Sequence, residues 1–318
     1  GSVSTGDPYC ELAVVNCVLR EGDIRVQNNG YNLTAAGDSL LHGQIYFTYG
    51  KVSGCYVDVA DGAESCVEIW DDNRVSNDTL YVIGNRLYGT TIGTSAIGFN
   101  VFRSGIRASS ADYFYAFHNN YIEVRGGWAG DNRYKTMGIY TTVIKNSNVG
   151  VHTITNNTVV NTVGTQMYPQ GAYYIDGGSS NTRVDMYNNL GVDQAASANN
   201  GMYVDGGTIG SPVVGFNVFN SGSMSGVADN GTNRFNSNTT MNGLAPAPGS
   251  DAVDAGNPNE IYTDLDLTRN DAGAYGGSFS LENFLPGGGF GPRVFFVKAP
   301  RRVLIGNTVD VEAAGYAK

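Results

Sequence analysis

The sequence repeats a short pattern at intervals of about thirty residues. Runs of alternating apolar and polar residues, most opened by glycine, begin at Val67, Gly105, Gly138, Gly171 and Gly201. The glycine starts lie 33, 33 and 30 residues apart, and the runs are followed by Asn85, Asn120, Asn157, Asn189 and Asn217. No helical periodicity accompanies the repeat. A fixed period of this kind predicts coils stacked along one axis, because one coil is too small to bury its own apolar face.

Alternation within the runs assigns their side chains to two faces of a sheet. With the runs aligned on a glycine or apolar start, they predict an interior column of Ile69, Ile106, Ile139, Tyr173 and Met202, followed by Ala108, Thr141, Ile175 and Val204. The strand before each asparagine predicts another interior column of Val82, Phe117, Ile154, Met186 and Val214. The outer face is predicted to carry Trp70, Arg107, Tyr140, Tyr174 and Tyr203 beside Asp72, Ser109, Thr142, Asp176 and Asp205.

The repeated asparagines are interpreted as a structural column. Stacked asparagines satisfy one another's amides, and asparagine tolerates the left-handed backbone that tight turns require. This column therefore indicates a fold and no activity.

Charge and hydrophobicity exclude two classes of partner. The net charge is −10, and phosphate binding needs clustered Lys and Arg, so nucleic acid is not expected as a partner. No run of the sequence approaches the 18 or so apolar residues of a membrane span, so membrane insertion is not expected either.

All four cysteines lie in the first part of the chain, at Cys10, Cys17, Cys55 and Cys66. Their spacing fits none of the compact CxxC metal patterns. Two disulfides in an exported protein are the favoured interpretation, with buried free thiols as the alternative. The expected location is therefore extracellular or at the cell surface.

The repeats resemble the right-handed parallel β-helix of pectate lyases, polygalacturonases and phage tailspikes, over residues 40–245. The segments 251–258, 264–266 and 269–276 resemble the C-terminal cap of secreted bacterial β-helix proteins, several of them polysaccharide lyases. Leu267 departs from that pattern, which usually has Gly there. The resemblance implies an all-β solenoid with an N-terminal cap region at 1–40, the β-helix at 41–245, an irregular C-terminal cap at 246–285 and a linker with a partial β appendage at 286–318.

The outer aromatic column predicts a polysaccharide-binding surface, because tyrosine and tryptophan faces stack on sugar rings. The residues expected to bind substrate are Trp70, Tyr174, Tyr203, Trp128, Asp72, Asp176 and Asp205. The alternative is cross-strand stacking that only stabilises the sheet.

An arginine within the aromatic column suggests chemistry on a uronate. A guanidinium binds a carboxylate in two-point fashion, and neutralising that carboxylate acidifies the neighbouring C–H bond for a lyase or an epimerase. Arg107 is the expected carboxylate partner, and the candidate proton carriers are Tyr140, Lys135, Arg133 and His118. No motif of a particular enzyme family accompanies them.

Aspartates suggest two places for a cation. Asp264, Asp266 and Asp271 alternate in the predicted cap, where carboxylate oxygens would suit calcium, although their spacing is not that of an EF-hand. Asp176 and Asp205 recur in similar Asp-Gly-Gly settings, so stacking them would raise one pKa or recruit calcium. For both groups of aspartates, the alternative is a structural role in turns.

A second class of function competes with glycan recognition. Low charge and the apolar strand 294–297 also suit a structural or adhesive surface protein, such as a tailspike-like stalk or a filament subunit. Self-association is then expected through residues 292–318, because an unpaired strand invites pairing with a neighbour.

Overall fold

The protein is an all-β parallel β-helix in a computed structural model, which describes residues 3–4, 11–26, 32–59, 65–70, 78–90, 104–108, 113–125, 137–142, 150–162, 172–177, 182–194, 201–205, 210–285, 293–298 and 311–316. Three parallel sheets of nine, eight and eight described strands run the length of the solenoid. Each coil contributes one strand to each sheet. The predicted fold class is confirmed.

Sheet 1 contains β1 (Val3–Ser4), β4 (Ile24–Arg25), β7 (Ile45–Phe47), β10 (Ser65–Ile69), β13 (Ser104–Ala108), β16 (Met137–Thr142), β19 (Tyr173–Asp176), β22 (Met202–Val204) and β25 (Met224–Ser225). Sheet 2 contains β2 (Glu11–Val15), β5 (Asn32–Ala36), β8 (Gly50–Ser53), β11 (Thr79–Ile83), β14 (Phe114–His118), β17 (Val151–Thr155), β20 (Arg183–Tyr187) and β23 (Val213–Gly215). Sheet 3 contains β3 (Val18–Arg20), β6 (Ser39–Leu41), β9 (Tyr56–Val59), β12 (Arg86–Thr90), β15 (Tyr121–Arg125), β18 (Thr158–Asn161), β21 (Leu190–Asp193) and β24 (Val218–Phe219).

The core is built from side chains at equivalent positions of successive coils, which stack on one another as the alternation predicts. Ile106, Ile139, Tyr173 and Met202 pair across neighbouring strands of sheet 1, and all four are fully buried. The sheet 2 column is also confirmed in register and buried: Val82, Phe117, Ile154, Met186 and Val214. Burying every coil's β-branched and aromatic side chains against the next coil supplies the hydrophobic stabilisation that one coil lacks.

One interior assignment is wrong by two residues. Ile69 pairs with Ala108, and Val67 pairs with Ile106, whereas the aligned runs placed Ile69 beside Ile106. The run at Val67 has no leading glycine, so nothing in its local sequence marked its register against the next run. Because side chains alternate with a period of two, a two-residue slip leaves the faces unchanged and alters only the neighbours.

A hydrogen-bonded asparagine ladder joins sheets 2 and 3 at the turns of successive coils from Asn85 onward. The Asn120 side-chain Nδ2 donates to Asn157 Oδ1 at 2.9 Å and to the Val82 carbonyl at 2.8 Å, and the same pattern continues to Asn189 and Asn217. The residue before each of these asparagines has positive φ, 55° at Asn119 for example. The ladder gives hydrogen-bond partners to amide and carbonyl groups that are buried at the turns. The predicted structural role is therefore confirmed.

Residues 250–285, called the flank segment below, run back along the side of the solenoid after the last coil. Asn119 Nδ2 donates to the carbonyls of Ala274 and Gly276, at 2.9 and 2.6 Å. Asn156 Nδ2 donates to Asn270 Oδ1 at 2.9 Å. The flank segment buries small apolar residues against the outer face of sheet 3: Ala252, Ala255, Ala272, Ala274 and Leu281. It includes two short 3-10 helices, Glu260–Tyr262 and Leu281–Phe284.

Two antiparallel hairpins complete the described chain. Strands β26 (Met241–Asn242) and β27 (Ala245–Pro246) form the first, and β28 (Arg293–Lys298) and β29 (Glu312–Tyr316) form the second. Glu312 of the second hairpin forms an ion pair with Lys51 of sheet 2. No helix among the described residues is long and apolar enough to cross a membrane.

The expectation of two disulfides is wrong. Cys17, Cys55 and Cys66 are free thiols, and Cys10 lies outside the described residues. Cys55 occupies the ladder position, its backbone amide donating to Asn85 Oδ1 at 2.9 Å, whereas Cys66 lies on β10 with its Sγ 3.5 Å from the Tyr88 carbonyl. Both side chains are fully buried, and burial raises the pKa of each thiol. The alternative of buried thiols therefore holds for these two residues.

Candidate functional site

The outer face of sheet 1 carries one continuous column of long polar and aromatic side chains. Strand pairing aligns seven positions in successive coils: Arg25, Tyr46, Glu68, Arg107, Tyr140, Tyr174 and Tyr203. Parallel pairing stacks such positions at about 4.8 Å per coil, so the column spans about 29 Å. We call it the sheet 1 column.

Glu68 occupies the position that the sequence assigned to Trp70. Glu68 pairs with Arg107 across β10 and β13, so Trp70 lies two residues farther along the outer face. The error has the same origin as that at Ile69. Trp70 remains outward and is 45% exposed, with its ring meeting Tyr46 edge to face at a centroid distance of 6.4 Å. An edge-to-face contact leaves aromatic ring surface accessible for a ligand.

Arg107 is already engaged by a carboxylate. Its Nη1 lies 3.1 Å from Glu68 Oε1, and the Glu68 side chain is only 9% exposed. A largely buried carboxylate needs this partner, because desolvating an unpaired charge is costly. A uronate would therefore have to share the guanidinium with Glu68. The sequence did not reveal this competitor because the aligned runs placed Trp70, and not Glu68, beside Arg107.

The three tyrosines at the end of the sheet 1 column form a ring stack. Centroids of Tyr140 and Tyr174 are 5.7 Å apart, those of Tyr174 and Tyr203 are 4.7 Å apart, and both pairs are tilted by 21°. The ring faces therefore cover one another, and each coil presents mainly a ring edge to a ligand. Thr142 Oγ1 lies 3.4 Å from the Tyr140 hydroxyl. This part of the column is better suited to hydrogen bonding through hydroxyls than to stacking on sugar faces.

Carboxylates lie beside the tyrosine stack. Asp176 is the last residue of β19, and the Asp205 amide donates to the Ile175 carbonyl at 2.9 Å. The two aspartates therefore occupy equivalent positions on neighbouring coils. Burial raises the pKa of the Tyr203 hydroxyl, and the charges of Asp205 and Asp176 raise it further. Asp176 and Asp205 follow Tyr174 and Tyr203 by two residues, so each carboxylate lies on the same face of its strand as the tyrosine before it.

The proposed catalytic residues do not all meet. Arg107 and Tyr140 are neighbours on adjacent strands of sheet 1. His118 ends β14 on sheet 2, where its Nε2 lies 2.7 Å from Thr153 Oγ1, so it does not reach the sheet 1 column. Four further predicted residues lie outside the described residues: Asp72, Trp128, Arg133 and Lys135.

The predicted calcium residues instead bind backbone amides in the flank segment. Asp264 Oδ2 accepts from the Asp271 amide at 2.9 Å, Asp266 Oδ1 from the Thr268 amide at 3.0 Å, and Asp271 Oδ1 from the Asp254 amide at 2.7 Å. Burial raises the pKa of Asp264 to about 6, whereas the hydroxyl and amide of Thr268 lower that of Asp266. Within the described ranges no three His, Cys, Asp or Glu residues form a group that could hold a metal. These aspartates therefore have hydrogen-bonding roles in the turns of the flank segment.

Sequence reasoning missed a charged cluster on the outer face of sheet 3. Arg125 Nε lies 2.7 Å from Glu123 Oε1, its Nη1 lies 3.8 Å from Asp58 Oδ2, and its guanidinium lies 4.2 Å from the Tyr88 ring centroid. The Tyr121 hydroxyl donates to Glu123 at 3.3 Å. Asp58, Tyr88 and Glu123 share one row and each follows its ladder residue by three positions. That fixed offset was the signal, but the sequence was interpreted only for the strands before the asparagines and for sheet 1.

Comparison with protein families, with curated proteins and with solved structures finds no match to this chain.

Proposed function

We propose that the protein binds a polysaccharide along the sheet 1 column and that it acts outside the cell, where such polymers occur. The observation that carries the proposal is the in-register alignment of Arg107, Tyr140, Tyr174 and Tyr203 on one outer face. A regular row of polar and aromatic groups suits a regular polymer, because each coil offers similar contacts to each successive unit.

Different parts of the column would make different contacts. Trp70, at 45% exposure, provides a ring surface on which the apolar face of a sugar can stack. Tyr174 and Tyr203 offer hydroxyl groups, and the nearby carboxylates of Asp176 and Asp205 accept hydrogen bonds from sugar hydroxyls. The Glu68 and Arg107 pair offers both an acceptor and donors.

Lyase or epimerase activity on a uronate-containing glycan is the enzymatic form of this proposal. Arg107 would neutralise the uronate carboxylate, and Tyr140, on the next strand, would carry the proton. A reaction of this type removes a proton from carbon and, in a lyase, expels the neighbouring glycosidic oxygen to leave a double bond. Incubation with a panel of uronate polymers, with and without calcium, would reveal unsaturated ends by their absorbance. Their absence at every pH tested would contradict the lyase form and leave binding itself untouched.

Binding is tested by affinity electrophoresis in gels that contain neutral or uronate polysaccharides. Trp70→Ala is expected to weaken retention by at least about tenfold, which corresponds to about 1.4 kcal/mol. Tyr174→Phe keeps the ring stack and removes only the hydroxyl, so it separates ligand binding from packing. Loss of retention in Tyr174→Phe supports the hydroxyl contact. Tyr81→Phe, at an outward position of sheet 2, is the matched control.

A structural or adhesive role is the second candidate, and it rests on the hairpin of β28 and β29. Val294 of β28 is 61% exposed, and Val311, the residue before β29, is 59% exposed. Exposed apolar side chains on a two-stranded hairpin suit pairing with another copy. Deleting residues 292–318 and measuring the mass in solution distinguishes the roles. An assembly that becomes a monomer supports self-association, and an unchanged monomer contradicts it.

A further inference from the structure

A cavity of about 320 Å³ lies where the flank segment crosses the ends of β14 and β17 on sheet 2. The solenoid contributes His118 and Thr155, which are paired across the two strands. The flank segment contributes Tyr262, Ser278 and Phe279. The volume falls at the lower end of the roughly 300–1,000 Å³ typical of small-molecule sites, which suits a single ring better than a chain.

Rings form much of the wall. The Phe279 ring centroid lies 5.8 Å from that of His118, and Tyr262 packs against Tyr187 at 5.6 Å. Aromatic faces carry negative charge density and attract the weakly positive C–H groups of an apolar ligand face. Thr155 and Ser278, which carry hydroxyl groups, line the same cavity. A ligand with an apolar face and a hydroxyl-bearing edge matches both features.

Permanently charged side chains are missing from the lining, in which His118 is the one group among the described residues that titrates near neutral pH. None of the described residues around the cavity is an Asp, Glu, Lys or Arg. A cationic ligand would lose its hydration there without gaining a partner, and an anionic ligand would gain one only from a protonated His118. The chemistry therefore selects a neutral ligand.

Buried hydrogen bonds hold the wall in place before any ligand arrives. Asn119 binds the carbonyls of Ala274 and Gly276, which lead directly into the stretch that carries Ser278 and Phe279. Asp264 accepts from the amides of Asp271 and Gly277 on the same turn. A preformed wall reduces the entropy lost on binding.

We propose that this cavity binds a single neutral sugar ring. His118 and Phe279 contact the apolar face of the ring, and Thr155 and Ser278 bind its hydroxyls. The site lies on sheet 2, so it is separate from the sheet 1 column. It also gives His118 a role that differs from proton transfer on sheet 1.

The experiment titrates glucose, galactose and N-acetylglucosamine separately into the full chain and follows binding by ligand-observed NMR. Glucuronate serves as the charged comparison. At least one neutral sugar is expected to bind with a dissociation constant of about 1 mM, and glucuronate at least tenfold more weakly. Thr155→Trp fills the cavity and is expected to abolish saturable binding. His118→Ala removes one ring wall and should weaken binding at least about tenfold.

Trp70→Ala is the matched control, because it alters the sheet 1 column and leaves the cavity intact. Sugar binding that survives Trp70→Ala and disappears in a folded Thr155→Trp protein supports the cavity site, whatever the polysaccharide experiment shows. The proposal is overturned if no neutral sugar binds up to tens of millimolar, if glucuronate binds equally well, or if Thr155→Trp binds as the unmodified protein does. Far-ultraviolet circular dichroism of each variant verifies folding, and if Thr155→Trp is misfolded, His118→Ala decides by the same criterion.

Discussion

Asp38 Oδ1 accepts a hydrogen bond from the Cys17 amide at 2.7 Å, which is the contact that each ladder asparagine makes with the coil before it. Asp38 Oδ2 also accepts from the Ala36 amide at 3.2 Å. The side chain is 1% exposed, and burial raises its pKa to about 7 in spite of these two bonds. A carboxyl group thus occupies an asparagine position one coil before Cys55.

Replacing Asp38 with asparagine is expected to stabilise the protein above neutral pH. The pKa of Asp38 is raised from its ordinary value of 3.8 to about 7 in the fold, so its contribution to stability is fully present below pH 4 and is lost as the pH rises to 7. Asparagine keeps the bond from Cys17 but cannot accept from Ala36. The expected gain at pH 8 is therefore roughly 1–3 kcal/mol, with little gain at pH 4.

Urea unfolding of both proteins at pH 4, 6 and 8 measures this difference. Asp229→Asn, at an exposed turn, controls for the change in net charge. A loss of stability in Asp38→Asn at pH 8 would mean that the two amide bonds outweigh the burial of the charge.

Asn157 is expected to be among the most sensitive positions of the ladder. Its Nδ2 donates to the Phe117 carbonyl at 2.8 Å and to Asn189 Oδ1 at 3.1 Å, and its Oδ1 accepts from the backbone and side chain of Asn120. Asn157→Ala leaves several of these fully buried groups without partners. The free energy of unfolding should fall by about 3 kcal/mol or more, measured by urea denaturation. Asn230→Ala, at an exposed turn, should change it by less than about 1 kcal/mol, and an equal loss in both would contradict the role of the ladder.

Thiol chemistry gives a direct test of the cysteine assignment. In a Cys10→Ser variant, iodoacetamide should modify only Cys17 in the native state, because Cys55 and Cys66 are fully buried and burial raises their pKa. All three should react after denaturation without a reducing agent. Mass spectrometry counts the added groups. Fewer than three in the denatured protein would show that a disulfide is present after all.

Local signals predicted most of the solenoid. Alternation assigned Ile139 and Tyr173 to the interior and Tyr140 to the outer face, because these assignments depend only on the parity of position along one strand. The asparagine turns were equally legible, since Asn157 and its neighbours recur at a fixed distance after each run.

Contacts between distant parts of the chain were beyond the same reasoning. The bond from Asn119 to Ala274 joins residues 155 positions apart, and nothing in either local sequence specifies it. The pairing of Glu68 with Arg107 was missed for a different reason, because a two-residue slip preserves both faces of a strand. The alignment therefore assigned Arg107 to the correct outer face but did not identify Glu68 as its charged neighbour.

Alanine substitution at two glycines tests whether the flank segment packs against the turns. Both glycines have positive φ, but only one of them lies against a side chain of the flank segment. Gly84 has φ +65°, and a Cβ there would lie 2.2 Å from the Phe284 ring. Gly231 has φ +80°, and a Cβ there would meet nothing within 4 Å. Alanine at Gly231 should cost only the backbone strain of about 1 kcal/mol, whereas alanine at Gly84 must also displace Phe284.

Gly84→Ala should therefore reduce the free energy of unfolding more than Gly231→Ala, and it should speed amide hydrogen exchange in residues 279–285. The excess cost should disappear in a Phe284→Ala background, where the ring is absent. This double-mutant comparison isolates the contact between the turn and the flank segment. Equal costs at the two glycines, in the presence of Phe284, would contradict the docked arrangement.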